Sequence, residues 1–346
     1  MNKIHITMNN KFFSYILSAL LFVFPIHLLF IFLKNLLYDL KIFKTRKVDA
    51  KVVSIGNIAL GGTGKTPTTI AIANFLEKKG FAVGIVTRGH GRENISNSFL
   101  LKDHGWKECG DEVILLKNNT SSNTHIFVSL DKIYAAEQLS KMGCDIVLLD
   151  DGFQHRRIHR DIDIVLLGPE NQNKKWQLIY PYGLLREPYC YLRRADITIS
   201  TKSNLIKSTN LRSDYALSLE IKKEIISSGS IKNIHDLGNK SGIISVCSIG
   251  DPESFSKTLS NINIDVNKKL VFPDHWPFSL SDIEKINRLA VKEGLKHIVC
   301  TEKDFVKLLE FKNVLNVDVN AVVMKHDLSE EVEQDILGRL KQNLHH

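Results

Sequence analysis

The chain has 346 residues, 43% of them hydrophobic and 24% charged, which allows about two domains with sizeable cores and leaves no internal repeat or long low-complexity tract. Its net charge of +8 suits an anionic partner: a phospholipid surface, a phosphorylated substrate or nucleic acid. Cys109, Cys144, Cys190, Cys247 and Cys300 show no CxxC spacing, so no zinc or disulfide framework is expected and a reducing compartment fits.

Residues 12–33 carry no formal charge. As a helix they would extend about 33 Å, enough to cross a bilayer. Pro25 would kink that helix midway. From Ile26 onward the pattern turns amphipathic. Ile26, Leu29, Phe30, Leu33, Leu36, Leu37 and Leu40 share one face; Lys34, Asn35, Asp39 and Lys41 share another. The segment is expected to lie in a membrane interface, with a spanning helix as the alternative. A cleaved signal peptide fits less well, because the apolar run is overlong and no small-residue cleavage site follows. Lys34, Lys41, Lys44, Arg46, Lys47 and Lys51 follow the apolar run, as beside an anionic cytoplasmic leaflet or in a solvated linker.

The stretch VVSIGNIALGGTGKTP, Val52 to Pro67, reads as a buried strand, a glycine-rich turn and a helix start. Gly61, Gly62 and Gly64 let several N–H groups around Thr63 point at one anion, and Lys65 and Thr66 stand at a helix N-terminus that suits phosphate. In such loops the lysine reaches the outer phosphates and the hydroxyl holds Mg²⁺. Ala59 stands where the strict pattern asks for glycine. A helix is expected over Thr68–Lys79 and a strand over Phe81–Thr87, followed by the basic loop RGHGREN with Arg88 and Arg92. Cys109-Gly110-Asp111-Glu112 then precedes an apolar helix, so Asp111 is a helix cap or something more.

Beyond a strand at Thr124–Val128 and a helix at Asp131–Lys141, the run DIVLLDD is an apolar strand ending in Asp150 and Asp151. Downstream of a phosphate loop that is the usual Mg²⁺ partner, and paired aspartates repel without a cation. Gln154, His155 and a basic cluster follow. Strands are expected at Ile162–Leu167 and Asp196–Ser200, with a defined loop, YPYGLLREP, between them. Its Arg186-Glu187 pair is either a surface ion pair or holds a carboxylate near a metal. Residues 201–240 are polar, with one strand expected at Tyr215–Ile225 and a domain boundary nearby. A second α/β unit then runs to the C-terminus: strands at Gly242–Cys247, His297–Thr301 and Asn320–Met324, and helices near Pro252–Leu259, Ser281–Glu293 and Ser329–Gln342. His275 sits in the loop FPDHWPF, a rigid setting for a functional histidine, and in TEKD Lys303 and Asp304 cap a helix or meet a cleft.

Taken in order, the N-terminal apolar helix, GNIALGGTGKTP, RGHGR, GDE, LLDDGFQH, YGLLREP, RADI, FPDHWPF and TEKD resemble the tetraacyldisaccharide 4′-kinase family of lipid A biosynthesis over residues 14–335. The resemblance implies transfer of the γ-phosphoryl of ATP, with Mg²⁺, to the 4′-hydroxyl of an acylated disaccharide 1-phosphate at the cytoplasmic face of the inner membrane. It implies two α/β/α domains, the first a phosphate-loop, mostly parallel sheet, preceded by a membrane-associated helix. The expected divisions are 1–46, 47–215 and 216–346. Lys65 and Thr66 match the phosphate-loop residues, Asp111 the catalytic base, and His275 its partner. Asp150, Asp151 and Glu187 match acidic residues associated with Mg²⁺ and the loop; Gln154 matches a glutamine near it. Neither nucleic acid nor an obligate protein partner is expected.

Three positions depart from the family's usual residues: Val113 stands for proline, His90 for tyrosine and Trp276 for a second histidine. The indole is a candidate contact for sugar or acyl chain. The competing class is a membrane-associated phosphate-loop NTPase switch. A GTPase would normally carry NKxD, and Thr201-Lys202-Ser203-Asn204 lacks both the Asn and the Asp.

Overall fold

The computed structural model describes residues 26–168, 178–180, 182–205, 213–227, 230–238 and 241–342. Residues 12–25, the first part of the apolar segment, lie outside them. A helix over 26–39 (α1) is followed by β1 (Lys51–Asn57), α2 (Lys65–Lys78), β2 (Val83–Thr87), β3 (Phe99–Leu100), α3 (Trp106–Cys109) and α4 (Asp111–Asn119). Next come β4 (His125–Val128), α5 (Lys132–Lys141), β5 (Ile146–Asp150), β6 (Ile162–Leu167), β7 (Ile197–Ser200) and β8 (Tyr215–Ala216). Among the described residues these strands form an eight-stranded sheet, ordered β3-β4-β2-β5-β1-β6-β7-β8. Only the β3–β4 pair is antiparallel. Strands such as β2, β5 and β6 are buried along their whole length, as a parallel sheet covered on both faces requires.

The remaining elements are β9 (Leu219–Ser227), β10 (Ser230–Asn233), α6 (Ile234–Gly238), β11 (Ile243–Cys247), α7 (Pro252–Asn261), β12 (Lys268–Val271), α8 (Leu280–Glu293), β13 (His297–Thr301), α9 (Glu302–Leu308), β14 (Asp318–His326) and α10 (Glu330–Gln342). Their strands make a six-stranded sheet, β10-β9-β14-β13-β11-β12, in which β9 runs antiparallel to both its neighbours. The fold is therefore mixed α/β with two mostly parallel sheets.

The single strand expected at Tyr215–Ile225 is two strands in different sheets. Leu217 donates its N–H to Ser200 O and is buried in the first core, whereas Leu219 opens β9 of the second sheet. Two residues therefore carry the chain from one body to the other. It returns just after β14. Val332, Ile336 and Leu340 of α10 pack into the first core with Ile162, Ile164 and Leu217.

The N-terminal helix α1 is amphipathic as its sequence suggests, with its polar stripe turned inward. Lys34 Nζ donates to Gln154 O at 3.0 Å, and Arg156 donates to Asn35 Oδ1 at 3.1 Å and to Asp39 Oδ1 at 2.8 Å. Ile31 is buried on the inner face with Ile58 and Phe153, and Leu28 packs beside it. Ile26, Leu29, Phe30, Leu33 and Leu40 face outward, 45–67% exposed. No helix among the described residues is long and apolar enough to cross a membrane.

Candidate active site

β1 lies between β5 and β6, and its carboxyl end releases the phosphate loop at a position where α/β sheets bind ligands. Gly64 adopts φ 81°, the left-handed turn that lets the chain enter α2 at Lys65. The loop is braced from below. Asn57 Nδ2 donates to Thr63 Oγ1 at 2.9 Å, and Thr201 Oγ1 donates to Thr63 O at 2.8 Å. A cleft of about 700 Å³ opens above, lined by Gly61 to Thr66 of the first body and by Gly250, Asp251, His275 and Lys303 of the second.

The register of β1 against β5 sets Asp150 opposite Ile55, beside the loop. Asp151 turns at φ 53° and accepts both contacts of Arg186 at 2.8 Å, with Lys65 Nζ 3.9 Å away. Although burial raises the Asp151 carboxyl, Lys65 and Arg186 outweigh it and hold it well below the usual range. Burial, with Glu112 and Asp151 nearby, instead pushes Asp150 up to about 7. Beneath both, Lys132 donates to Asp150 O at 2.5 Å and Asp151 O at 2.7 Å, and burial brings its ammonium down to about 8. Asp150 Oδ1 is a buried oxygen with no hydrogen-bond partner among the described residues. An orphaned carboxylate oxygen beside a second acid and the Thr66 helix start fits a hard divalent cation.

The second half of the site comes from both bodies. Gly110, at φ 98°, is the N-cap of α4, and Asp111 is the first helical residue. Its Oδ1 accepts the Glu112 N–H at 2.9 Å, but Gly110 occupies the N-cap, so Asp111 stands one place inside the helix and is not its cap. The same carboxylate also reaches across the cleft. His275 Nδ1 lies 3.0 Å from Oδ1 and 3.2 Å from Oδ2, 164 positions away in sequence. Lys303 Nζ approaches His275 Nε2 at 3.0 Å. An ammonium can only donate, so Nε2 accepts and Nδ1 carries the proton given to Asp111. Burial raises the Asp111 carboxyl, but the His275 hydrogen bond and the Lys303 and Lys307 charges outweigh it and leave it at about 2.

Sequence reasoning missed Lys307. It is fully buried, 3.3 Å from Asp111 Oδ2 and 3.1 Å from Asp304 Oδ1, and it donates to Ser248 Oγ at 2.7 Å. One signal was available: Lys303 and Lys307 are four apart on α9 and so share a face. Asp304 is wholly buried and accepts from Ser248 N at 2.9 Å and Thr301 Oγ1 at 2.9 Å, so in TEKD it is the lysine that meets the cleft.

Gln154 and Glu187 are not brought to the cleft. Gln154 Nε2 donates to Asn57 O at 2.7 Å, bracing the loop from behind. Glu187 is buried in a pair with Arg194, whose guanidinium lies 4.4 Å from the Phe153 ring centre. That arrangement faces α1, since Arg194 also donates to Asn35 Oδ1 at 3.1 Å. Of the three departures, Val113 is buried in the first core and the helix starts without proline. His90 packs on His275 with ring centres 4.2 Å apart. Trp276 donates to Asp282 Oδ2 at 3.1 Å and is partly buried against the second core.

Comparisons with known proteins place the chain in a family. A family model for tetraacyldisaccharide-1-P 4′-kinase matches residues 16–341. The tetraacyldisaccharide 4′-kinase of Syntrophus aciditrophicus is 32% identical over 302 residues, covering 80% of each chain. That of Halothermothrix orenii is 30% identical over 351 residues, covering 92% of this chain and 90% of its own. The solved structure of LpxK from Aquifex aeolicus in complex with ATP superposes with a TM-score of 0.72 at 27% identity, over 93% of this chain and 98% of that one. The chain belongs to the tetraacyldisaccharide-1-P 4′-kinase family, and it is an ATP-dependent kinase.

Proposed function

We propose that the chain transfers the γ-phosphoryl of ATP to the 4′-hydroxyl of tetraacyldisaccharide 1-phosphate, with Asp111 as the base and His275 as its partner. The observation that carries this reading is the Asp111–His275 contact at 3.0 Å, made between two bodies across a cleft that the phosphate loop lines. A nucleotide switch has no use for such a pair. Lys65 and the loop amides bind the phosphates. Thr66, Asp150 and Asp151 would hold Mg²⁺, which when bound neutralises charge on the phosphate oxygens. Gln154 and Glu187 act at one remove, through Asn57 and Arg194 respectively.

Asp111, held at about 2, is a weak base that stays ionised. It accepts the hydroxyl proton late, once bonding to phosphorus has made that proton acidic, as a loose phosphoryl transition state allows. His275 fixes the carboxylate's direction through Nδ1–H. Lys303 and Lys307 favour the ionised form. Residues of both bodies line the cleft, so closing it excludes water and limits ATP hydrolysis.

The acceptor is an acylated lipid, and the outward apolar stripe of α1 supports docking on the phospholipid surface at the cytoplasmic face of the inner membrane. Mass analysis of the lipid after incubation with ATP and Mg²⁺ tests the function. A product heavier by one phosphate at the 4′ position is expected. Nucleotide hydrolysis that is indifferent to the acceptor, with no phosphorylated lipid formed, would overturn the reading.

A further inference from the structure

The chemistry above leaves one contact with the phosphate loop unused. His326 is the last residue of β14 in the six-stranded sheet, yet its ring is buried against the other body, 2% exposed. A Cβ added to Gly64 would come within 2.4 Å of His326 Cε1, so the imidazole is a wall behind the loop's left-handed turn. His326 Nδ1 lies 2.8 Å from Thr68 Oγ1, and Thr68 Oγ1 lies 2.9 Å from Gly64 O.

Thr68 has a single hydroxyl proton to give. Given to Gly64 O, it leaves the hydroxyl oxygen free to accept from Nδ1–H, and both hydrogen bonds form. Given to Nδ1, it forfeits the Gly64 bond and strands an N–H at Nε2, an atom with no partner among the described residues. A buried donor without a partner is rarer than a buried acceptor without one. The first arrangement therefore prevails, and the bonds run from His326 Nδ1–H to Thr68 to the Gly64 carbonyl.

We propose that His326 is a positioning residue for nucleotide binding: delivered by the second body, it orients the Thr68 hydroxyl and through it holds Gly64 in the turn that aims the loop amides at phosphate. The proposal rests on the reading that this loop takes the phosphates of ATP. The chain leaves the second sheet directly after His326, so the contact sits beside a crossing between the bodies.

The test is ATP affinity by calorimetry on the full chain, with KM and kcat from lipid phosphorylation. His326→Ala and Thr68→Ala should each weaken ATP binding about tenfold, as loss of one buried hydrogen bond does, with kcat at saturating ATP little changed. The double variant should be no weaker than either single one, because both act through one series of bonds. His326→Asn, whose amide nitrogen can take the place of Nδ1, should recover most of the affinity. His326→Gln, whose amide reaches the place of Nε2, should not. Should His326→Ala fail to fold, Thr68→Ala and the Asn–Gln pair make the same comparison. Unchanged ATP affinity in Thr68→Ala, or rescue by Gln equal to that by Asn, overturns the proposal and leaves a space-filling histidine. Absence of ATP binding by the unaltered chain sinks the underlying loop reading instead, and the proposal with it.

Discussion

Asp111 is more acidic than its burial alone would allow, and the cause is two residues of α9 and one loop histidine. Replacing Asp111 or His275 by Ala should lower kcat by about 10²–10⁴-fold while ATP affinity stays nearly constant, as for loss of a proton acceptor and its orienter. Steady-state kinetics at saturating ATP checks this; near-normal turnover in both variants would remove the pair from the mechanism. Buried histidines set a second residue-scale expectation. Burial, aided by Lys202, brings His326 down to about 4; burial, aided by Lys132 and Arg157, does the same to His155. Unfolded histidines titrate near 6.5. Their folded-state values are depressed, so the stability they contribute is complete above about pH 6.5 and is lost as pH falls toward 4. Urea unfolding between pH 7.5 and 5 should therefore show a loss of the order of 2 kcal/mol from the deeply buried His326 and a smaller one from the less buried His155, and the His326→Asn variant should lose less than the unaltered chain. Asp111, depressed to about 2, contributes to a different window and loses its stabilisation only as pH falls from about 4 to 2. His275 was legible as a residue because its loop is bounded by proline and aromatics. His326 was not, since nothing near it in sequence says that its ring would end 2.8 Å from Thr68.

Local chemistry made the elements around the phosphate loop readable. Hydrophobic runs with β-branched residues became β1, β2, β5 and β6, and the glycine-rich turn marked the start of α2. Where local signals were weak, the reading slipped. The edge strand β3 is only two residues long, β10 and β12 carry little apolar pattern, and the break at Leu217 is decided by which core each side chain enters. The stripes of α1 were plain in sequence, and an interfacial helix turns its apolar one outward, but the partners of the polar stripe were not legible. Gln154, Arg156 and Arg194 capture the polar stripe, and they come from more than a hundred residues away. The outward apolar stripe predicts that serine at Leu29, Phe30 and Leu33 together should weaken binding to anionic phospholipid vesicles at least about tenfold, while the melting temperature holds. Vesicle co-sedimentation checks it. Undiminished binding would move the contact to another part of the chain.

At the scale of the whole molecule the two bodies meet along both sides of the cleft, through Asp111–His275 at 3.0 Å and Lys202–Asp251 at 2.8 Å. The sequence indicated two α/β units but did not reveal that the last helix belongs to the first core. Helix α10 follows the second sheet in the chain and carries an ordinary amphipathic pattern, so only tertiary packing assigns it. Truncation after Asp327 should therefore cost about 5 kcal/mol or more by removing Val332, Ile336 and Leu340, and it should destabilise the nucleotide-binding body. Denaturant unfolding monitored by ATP binding checks this. A truncated chain that unfolds with the same midpoint would show that α10 is dispensable to the first core.

The return of α10 also carries a consequence for synthesis. A ribosome delivers the eight strands of the first sheet before any of the six that follow, yet α10, which packs against β6 in the same core, emerges only after them. For the time needed to translate more than a hundred intervening residues, of the order of ten seconds at bacterial-like rates, Ile162 and Ile164 lack the helix that packs on β6. Nascent chains arrested before α10 should be the species that holdase chaperones capture, and release should coincide with the emergence of the final helix.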